Sequence, residues 1–324
     1  MRFTRQRCQW LFVALLVAGV HVSSFAQAFP TKPIRMLVAY APGGGTDILA
    51  RTIAQTMGDE LGQLVVVENK PGAGSQLATD LVAKAPADGY TIFLATIAHT
   101  INPGLYKKLP YDSLNDFAAV SLVASVPLII LVSPTVPVSS VKELIALAKE
   151  KPGYLNNAMA TGSMPHLAAE MFKTLVGVQI VPVPFKGNSP AHPDLIAGRV
   201  HLMFDALSSG LPQVQAGRLK GIAVTSAQRS QAAPDIPTVA ESGVSGFEAE
   251  PWYGVLAPAA TPSAIVERLN VAIHKAVAVP AVRDKLQSLG YTIKVDSPAE
   301  FTGYLKSELN KWTQVVKDSG ATPE

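Results

Sequence analysis

Short apolar runs alternate along the chain with longer segments in which apolar residues recur every three to four positions. Ile34–Tyr40, Val65–Glu68 and Thr91–Thr96 are short and rich in apolar residues, which predicts buried strands. The intervening segments, Thr46–Leu61 and Ser75–Ala85, have the apolar spacing of amphipathic helices. Because helices separate the strands, the pattern predicts a parallel sheet with right-handed crossovers.

A second set of alternating elements follows the first. Its predicted strands are Leu128–Ser133, Asn156–Met159, Ile180–Val183, His201–Phe204 and Gly221–Thr225, and its predicted helices are Val141–Lys151, Pro165–Val176 and Pro190–Ala197. A Pro-rich stretch then contains one strand at Trp252–Ala257, and the C-terminal third is helical. We therefore expect an α/β protein with a ligand cleft between two lobes. Residues 29–127 plus 246–324 form the first lobe, to which Trp252–Ala257 crosses back, and residues 128–245 form the second.

The N-terminus has the three parts of a secretory signal peptide. Arg2, Arg5 and Arg7 precede the apolar run Trp10–Val20, and an Ala-x-Ala sequence ends at Ala28. The apolar run is shorter than the roughly 20 residues that a transmembrane helix needs. The sequence therefore predicts export, with cleavage after Ala28 removing residues 1–28.

Composition narrows the functional classes further. The chain has 324 residues, of which 48% are hydrophobic and 16% are charged, so it is not intrinsically disordered. Removing the three signal-peptide arginines from 27 basic residues leaves 24 against 24 acidic residues, which argues against a nucleic-acid partner. Cys8, the single cysteine, lies in the signal peptide, which excludes disulfides and cysteine-based metal or catalytic sites from the mature chain. An exported chain without cysteine fits a Gram-negative periplasm. We expect a monomer with no cofactor and no metal.

A glycine-rich corner follows the first predicted strand. The sequence Ala41-Pro-Gly-Gly-Gly-Thr-Asp47 turns the chain directly into a helix. Glycines let backbone N–H groups approach a ligand closely, and the amino end of a helix favours an anion. Gly44, Gly45, Thr46 and Asp47 are therefore candidate ligand-binding residues. A plain tight turn with Thr46 or Asp47 as its N-cap explains the same sequence equally well.

Other candidates also lie beyond strand ends, where the crevice of an open α/β sheet forms. They are Thr96, His99, Gly162, Ser163, Lys186 and Asp205. Several have structural alternatives: His99 could cap a helix or lie at the surface, Lys186 could be solvent-exposed, and Asp205 could cap the following helix. An enzymatic interpretation would use Asp205 and His99 as acid and base on an anionic substrate, but neither a G-x-S-x-G nor an H-E-x-x-H sequence accompanies them. We therefore expect no catalytic activity.

Nine short sequences, taken together and in order, resemble one family, the Bug periplasmic solute-binding proteins, which are receptors of tripartite tricarboxylate transporters. The nine are Pro30-Thr-Lys-Pro-Ile-Arg35, Ala41-Pro-Gly-Gly-Gly-Thr-Asp47, Val67-Glu-Asn-Lys-Pro-Gly-Ala-Gly74, Ala87-Asp-Gly-Tyr90, Leu109-Pro-Tyr-Asp112, Pro165-His-Leu-Ala168, Phe185-Lys-Gly187, Leu202-Met-Phe-Asp205 and Pro237-Thr-Val-Ala-Glu241. The resemblance extends from about Phe29 to the C-terminus.

The resemblance implies a two-lobed, periplasmic-binding-protein-like fold that closes on an organic carboxylate. The ligand would be a dicarboxylate, a tricarboxylate, an acidic amino acid or an aromatic acid, held by backbone N–H groups and ordered waters. The partners would be the membrane permease subunits; a sensor that serves a signalling kinase is the alternative role. The positions that match the family's ligand loops are Gly44, Gly45, Thr46, Asp47, Thr96, Gly162, Ser163 and Asp205.

One stretch departs from the family pattern. Asn157–Met164 is about one residue shorter than usual and contains Met159 and Met164. Because methionine is apolar and adaptable, we expect this wall of the cleft to accept an apolar or aromatic ligand body.

Overall fold

The computed structural model describes residues 29–319, so the predicted signal peptide, residues 1–28, lies outside the described residues. The strands are β1 Ile34–Val38, β2 Val65–Asn69, β3 Thr91–Thr96, β4 Phe117–Ser125, β5 Leu128–Val132, β6 Asn156–Met159, β7 Val181–Pro184, β8 Leu202–Ala206, β9 Lys220–Val224, β10 Trp252–Pro258 and β11 Thr292–Ile293. The α-helices are α1 Gly45–Leu61, α2 Gln76–Ala83, α3 Ala98–Leu105, α4 Val141–Glu150, α5 Met164–Val176, α6 His192–Ile196, α7 Leu207–Gln215, α8 Ser263–Ala278, α9 Pro280–Ser288 and α10 Pro298–Ser319.

Six strands form the first sheet, in the order β11-β4-β10-β3-β1-β2. β1 runs parallel to β2 and β3, as predicted, but β10 runs antiparallel to both β3 and β4. The chain reaches β10 directly from the second set of elements, without a helical crossover, and Tyr253 near its start pairs with Thr96 at the end of β3. The parallel arrangement predicted for the first three strands is confirmed, and β10 joins them antiparallel because it enters at the carboxyl end of β3.

Five strands form the second sheet, in the order β7-β6-β8-β5-β9. β6 is parallel to β7 and β8, and β5 is antiparallel to β8 and β9. The chain passes between the sheets twice, after β4 and before β10, and the two passages are hydrogen-bonded to each other. Val126 N donates to Pro251 O over 3.2 Å, and Leu128 N donates to Thr225 Oγ1 over 2.8 Å.

Helix α3 and strand β4, like the two-residue strand β11, had no counterpart in the sequence prediction. Helix α3 contains Pro103 and Gly104, which are unfavourable inside a helix, so its pattern resembled a loop. Gly104 permits close packing against α10, because a Cβ at this position would lie 3.1 Å from Val316 Cβ. Strand β4 follows α3 and pairs with β10. Its local sequence pattern did not distinguish a strand from other structure, and the pairing with β10 stabilises it as a strand.

Aromatic packing holds the start of β10 in place. The rings of Trp252 and Phe301 meet edge to face with centroids 5.8 Å apart, and both side chains are fully buried. Gly254 leaves room for the Phe301 ring, because a Cβ at position 254 would overlap that ring. Tyr253, between these two anchored positions, is consequently held at the end of β3.

Each sheet carries its own helices, and the architecture is a two-lobed α/β fold. Residues from Lys32 onward belong to one compact unit, so the lobes are packed against each other. The strands of the first sheet lie within residues 34–125 and 252–293, and those of the second lie within residues 128–224. The lobe limits at residues 127/128 and 245/246 stay a prediction. Within residues 29–319, no helix combines the length and the apolar character needed to cross a bilayer.

Candidate functional site

A cavity of about 510 Å³, counted with its opening to solvent, lies where the loops of both sheets meet. The first lobe contributes Tyr40, Ala41, Gly44, Gly45, Thr46, Thr96, Ile97, Pro251 and Tyr253, and the second contributes Leu128, Ser163, Met164, Pro165, Asn188, Asp205 and Ala206. Most of these residues follow strand ends or begin helices, the positions at which open α/β sheets bind ligands. Six of the predicted residues line it: Gly44, Gly45, Thr46, Thr96, Ser163 and Asp205.

The amino end of α1 forms one wall of the cavity. Gly43 has a backbone φ of +84°, which residues with a side chain rarely adopt. Gly44 has an extended backbone and is the N-cap of α1, so this N-cap has no side chain. The first N–H groups of a helix have no intrahelical acceptor, so those of Gly45 and Thr46 are left for a ligand. This corner therefore combines a close backbone approach with the positive end of a 17-residue helix.

Asp47 was also predicted to bind ligand, but it instead accepts a hydrogen bond from the glycine turn and stabilises this corner. It is buried, is absent from the cavity lining, and accepts hydrogen bonds from Gly43 N at 2.9 Å, Arg51 Nε at 3.0 Å and Asn69 Nδ2 at 2.9 Å. Burial alone would raise the pKa of this carboxyl, but these hydrogen bonds and the Arg51 charge outweigh it and lower the pKa. Asp47 therefore holds the glycine turn in shape.

The amino end of α5 faces the cavity from the second lobe. Ser163 caps it by accepting from His166 N, and Pro165 has no N–H, so Met164 has the one uncommitted N–H among the first three helical positions. Met164 lines the cavity, whereas Met159 is buried without lining it. The predicted apolar wall therefore includes one of the two methionines.

A third helix, α7, begins beside the first. Ala206 precedes it and lines the cavity, and Ala206 N is already committed to Asp205 Oδ1 at 2.8 Å. A Cβ on Gly45 would lie 2.7 Å from Ala206 Cβ and 3.0 Å from Ser208 Oγ. The amino ends of α1 and α7 are therefore in contact at the cavity, although the two helices belong to different lobes.

Asp205 is the acidic side chain among the lining residues, and it is almost fully engaged with protein donors. Its Oδ2 lies 2.7 Å from His192 Nε2, and its Oδ1 accepts from Asn188 Nδ2 at 3.0 Å as well as from Ala206 N. The residue is 1% exposed. Asp205 thus orients Asn188, which lines the cavity and which our sequence prediction did not include among the site residues.

Tyrosine hydroxyls complete the polar lining. Tyr40 and Tyr253 line the cavity, and Tyr291 donates to Gly45 O over 2.5 Å. Burial raises the pKa of Tyr40 to about 12 and raises the pKa of Tyr253 well above its usual value, so both are neutral donors at neutral pH. Tyr40 directly precedes the glycine-rich corner, a position that could have identified it. Tyr253 had no such signal, because β10 reaches the site only through the tertiary fold.

Besides Asp47, three predicted residues do not line this cavity. His99 is 1% exposed, its Nε2 bonds to Ser113 O at 2.8 Å, and its ring meets Phe117 edge to face. Burial lowers the pKa of His99 to about 4, so it is a neutral core residue. Gly162 packs against Gly74, and Lys186 lines a separate cavity nearby.

The cavity lining can bind an anion although it contains no basic side chain to pair with it. No lysine, arginine or histidine is among the residues that line the cavity. Backbone N–H groups at helix amino ends, together with hydroxyl and amide side chains, are the available donors. Within residues 29–319 there is also no cluster of three side chains suited to hold a metal ion.

Comparisons with known proteins agree with this geometry. The chain matches the family model for the tripartite tricarboxylate transporter family receptor over residues 49–321. It is 37% identical to Protein BugT of Bordetella pertussis (strain Tohama I) over 314 residues, covering 96% of both chains. It superposes with a TM-score of 0.88 on the periplasmic binding protein BugD at 35% identity, covering 90% of this chain and 99% of BugD.

A second solved structure, R. palustris Rpa4515 with adipate, superposes with a TM-score of 0.87 at 37% identity, covering 91% of this chain and 99% of that one. The family match spans most of the chain, and the relatives are matched over nearly their whole length. The chain therefore belongs to the Bug family of tripartite tricarboxylate transporter receptors, as its nine sequence motifs predicted.

Proposed function

We propose that this protein is a periplasmic solute-binding protein that holds an organic carboxylate between its lobes and delivers it to the membrane subunits of a tripartite tricarboxylate-type transporter. The observation that carries the proposal is the convergence of the amino ends of α1, α5 and α7, from both lobes, on one cavity lined by no basic side chain. The adipate bound by the similar Rpa4515 protein is a ligand of this chemical class.

The contact between α1 and α7 couples ligand binding to closure. The amino end of α1 has a partial positive charge, whereas the first N–H groups of α7 are already committed, Ala206 N to Asp205 Oδ1 and Leu207 N to Pro127 O. An anion held between α1 and the second lobe interacts with the end of α1 by about 0.3–1 kcal/mol and bridges the two lobes. The closed arrangement is consequently favoured when a carboxylate is bound, and the paired passages near Val126 and Thr225 are where the lobes would hinge.

The arrangement supports binding rather than catalysis. The enzymatic alternative needs Asp205 and His99 to act together, but His99 is buried in the core beside Phe117 and Asp205 is held by Asn188, His192 and Ala206. Asp205 lines the cavity and His99 does not, so the two are not placed to act as an acid–base pair on one molecule there.

The first experiment is a thermal-shift screen of residues 29–324, unfolded and refolded to remove co-purified ligand. The panel contains citrate, dicarboxylates of four to eight carbons, aspartate, glutamate, benzoate, terephthalate and nicotinate. A ligand at 100 times its Kd stabilises by about 2.7 kcal/mol, which raises Tm by several degrees. A selective shift supports the receptor proposal; a folded, ligand-free protein that responds to no carboxylate contradicts it.

Transport is tested separately. Vesicles that contain the permease subunits of a tripartite tricarboxylate-type transporter from the same organism should take up the labelled ligand only when the purified receptor is added. Uptake that is unchanged without the receptor would contradict the delivery role while leaving ligand binding intact.

A further inference from the structure

A groove of about 1980 Å³, counted with its opening to solvent, lies between the lobes but outside the ligand cavity, and we call it the rear groove. One of its walls is the segment 226–232, which follows β9, a strand of the second sheet. The opposite wall consists of residues from α8, α9 and β11 of the first lobe. The two walls of the rear groove therefore belong to different lobes.

The chain passages that join the lobes lie between the rear groove and the ligand cavity. Pro127 lines the groove, whereas the next residue, Leu128, lines the cavity. In the second passage Glu250 lines the groove and Pro251 lines the cavity. Because the groove and the cavity lie on opposite sides of the hinge, a rotation that separates the lobes at the cavity brings the walls of the groove together.

The base of the rear groove is in contact with the ligand corner. Tyr291 lines the groove, and its hydroxyl donates to Gly45 O at the start of α1 over 2.5 Å. Gly290 also lines the groove and touches the second lobe, because a Cβ at this position would lie 2.6 Å from Leu207 Cδ2. Direct contacts therefore connect the groove walls to the residues that border the ligand cavity.

Two basic side chains that line the rear groove are paired with carboxylates outside it. Arg229 Nε donates to Glu241 Oε2 over 2.9 Å, and Lys275 Nζ donates to Glu60 Oε1 over 2.8 Å. These pairs leave little charge on either wall for an ionic ligand. The geometry is that of open space between two walls that move relative to each other.

We propose that the rear groove controls ligand affinity: it is widest when the ligand cleft is closed, so a side chain or molecule that fills it hinders opening and tightens carboxylate binding. The inference rests on the proposed function and adds a point of control that does not touch the ligand. The apparent Kd is the intrinsic Kd divided by the fraction of closed molecules. Where that fraction is about 10% without ligand, complete closure tightens binding about tenfold.

Ala278→Trp and Ala227→Trp each place a large ring on one of the two walls. Both alanines are exposed and line the groove, and neither lines the ligand cavity. Calorimetry with the carboxylate found in the screen should give a Kd about threefold to tenfold below that of wild type. Ala146→Trp is the matched control, because Ala146 is an exposed helical alanine that lines neither the groove nor the cavity, and it should bind as wild type does.

A distance measurement tests the coupling between groove and cleft without relying on the tryptophan variants. Spin labels on Gln228→Cys and Gln287→Cys lie on opposite walls of the groove, and residues 29–324 contain no other cysteine. Pulsed electron paramagnetic resonance should show this distance lengthening when the carboxylate binds. Labels on Gln76→Cys and Lys186→Cys, which line the small cavity beside the ligand site from the two lobes, should approach each other.

A groove distance that stays constant or shortens on ligand binding would overturn the inference. Tryptophan variants that bind no more tightly than wild type would overturn it as well. Both results are read with a carboxylate that binds wild-type protein, so they leave the proposed function intact. If no carboxylate binds to wild-type protein, it is the proposed function that fails, and this inference fails with it.

Discussion

Gly45 and Ala206 meet across the cleft so closely that a Cβ on Gly45 would lie 2.7 Å from the Cβ of Ala206. One residue begins the first helix of the first lobe, and the other directly precedes α7 of the second. The contact thus forms only where the two lobes come together, and the absence of a side chain at position 45 is what permits it.

Gly45→Ala should weaken ligand binding about tenfold to a hundredfold, because the added methyl group overpacks the closed contact at a cost of about 1–3 kcal/mol. The backbone of Gly45 does not need glycine, since its φ lies outside the left-handed range, so the ligand-free protein should be as stable as wild type. Isothermal titration with the ligand found in the screen measures the effect.

Gly303→Ala is the control for that substitution. Gly303 lies in α10, and nothing lies within 4 Å of the position that its Cβ would occupy. This variant should bind ligand as wild type does. If Gly45→Ala also binds at wild-type affinity, the contact between α1 and α7 is not required for binding.

Asp205→Ala should lower the free energy of unfolding by about 3 kcal/mol, because it leaves donors of half-buried Asn188 and of buried His192 and Ala206 without their acceptor. Asp205→Asn keeps one carbonyl oxygen at the same place and should lose distinctly less. Urea unfolding of the two variants measures the difference. Equal losses would indicate that the negative charge, and not the acceptor geometry, is what the neighbouring groups require.

Asp47→Ala should weaken ligand binding although Asp47 does not line the cavity, since Gly43 loses the acceptor that shapes the glycine turn. Because the folded-state pKa of Asp47 is lowered, its stabilisation is present above the unfolded pKa and is lost as the pH falls through the folded value. The variant should therefore lose less stability than wild type on acidification below about pH 4. Binding at wild-type affinity would assign Asp47 to stability alone.

His99 should make the protein less stable in mild acid. Burial lowers its folded-state pKa from 6.5 to about 4, so between these values the unfolded chain binds more protons than the folded one. Stability is then fully retained above pH 6.5 and decreases as the pH falls toward 4, by up to about 3 kcal/mol.

His99→Gln removes this titration while keeping a donor for Ser113 O. Its free energy of unfolding, measured by urea at several pH values, should depend less steeply on pH from 6.5 to 4 than that of wild type. Parallel slopes in the two proteins would show that His99 does not account for the acid sensitivity.

The sequence by itself determined the local elements and the chemistry of the corners. Apolar periodicity and glycine or serine caps predicted α1 and α5, and they placed Gly44, Gly45 and Ser163 at helix starts that do line the cavity. This succeeds because helix starts depend on residues within a few positions of one another. The nine motifs identified the family for a similar reason, because each is a short contiguous sequence that can be recognised without knowledge of the fold.

The tertiary structure decided which corner side chains reach the ligand cavity. His99 and Thr96 are three residues apart, yet Thr96 lines the cavity while His99 is covered by Phe117 and bonded to Ser113. Tyr253 reaches the site because β10 returns antiparallel to β3 from more than 150 residues away. Side-chain direction at a strand end depends on packing partners that are distant in sequence, and no local pattern contains that information.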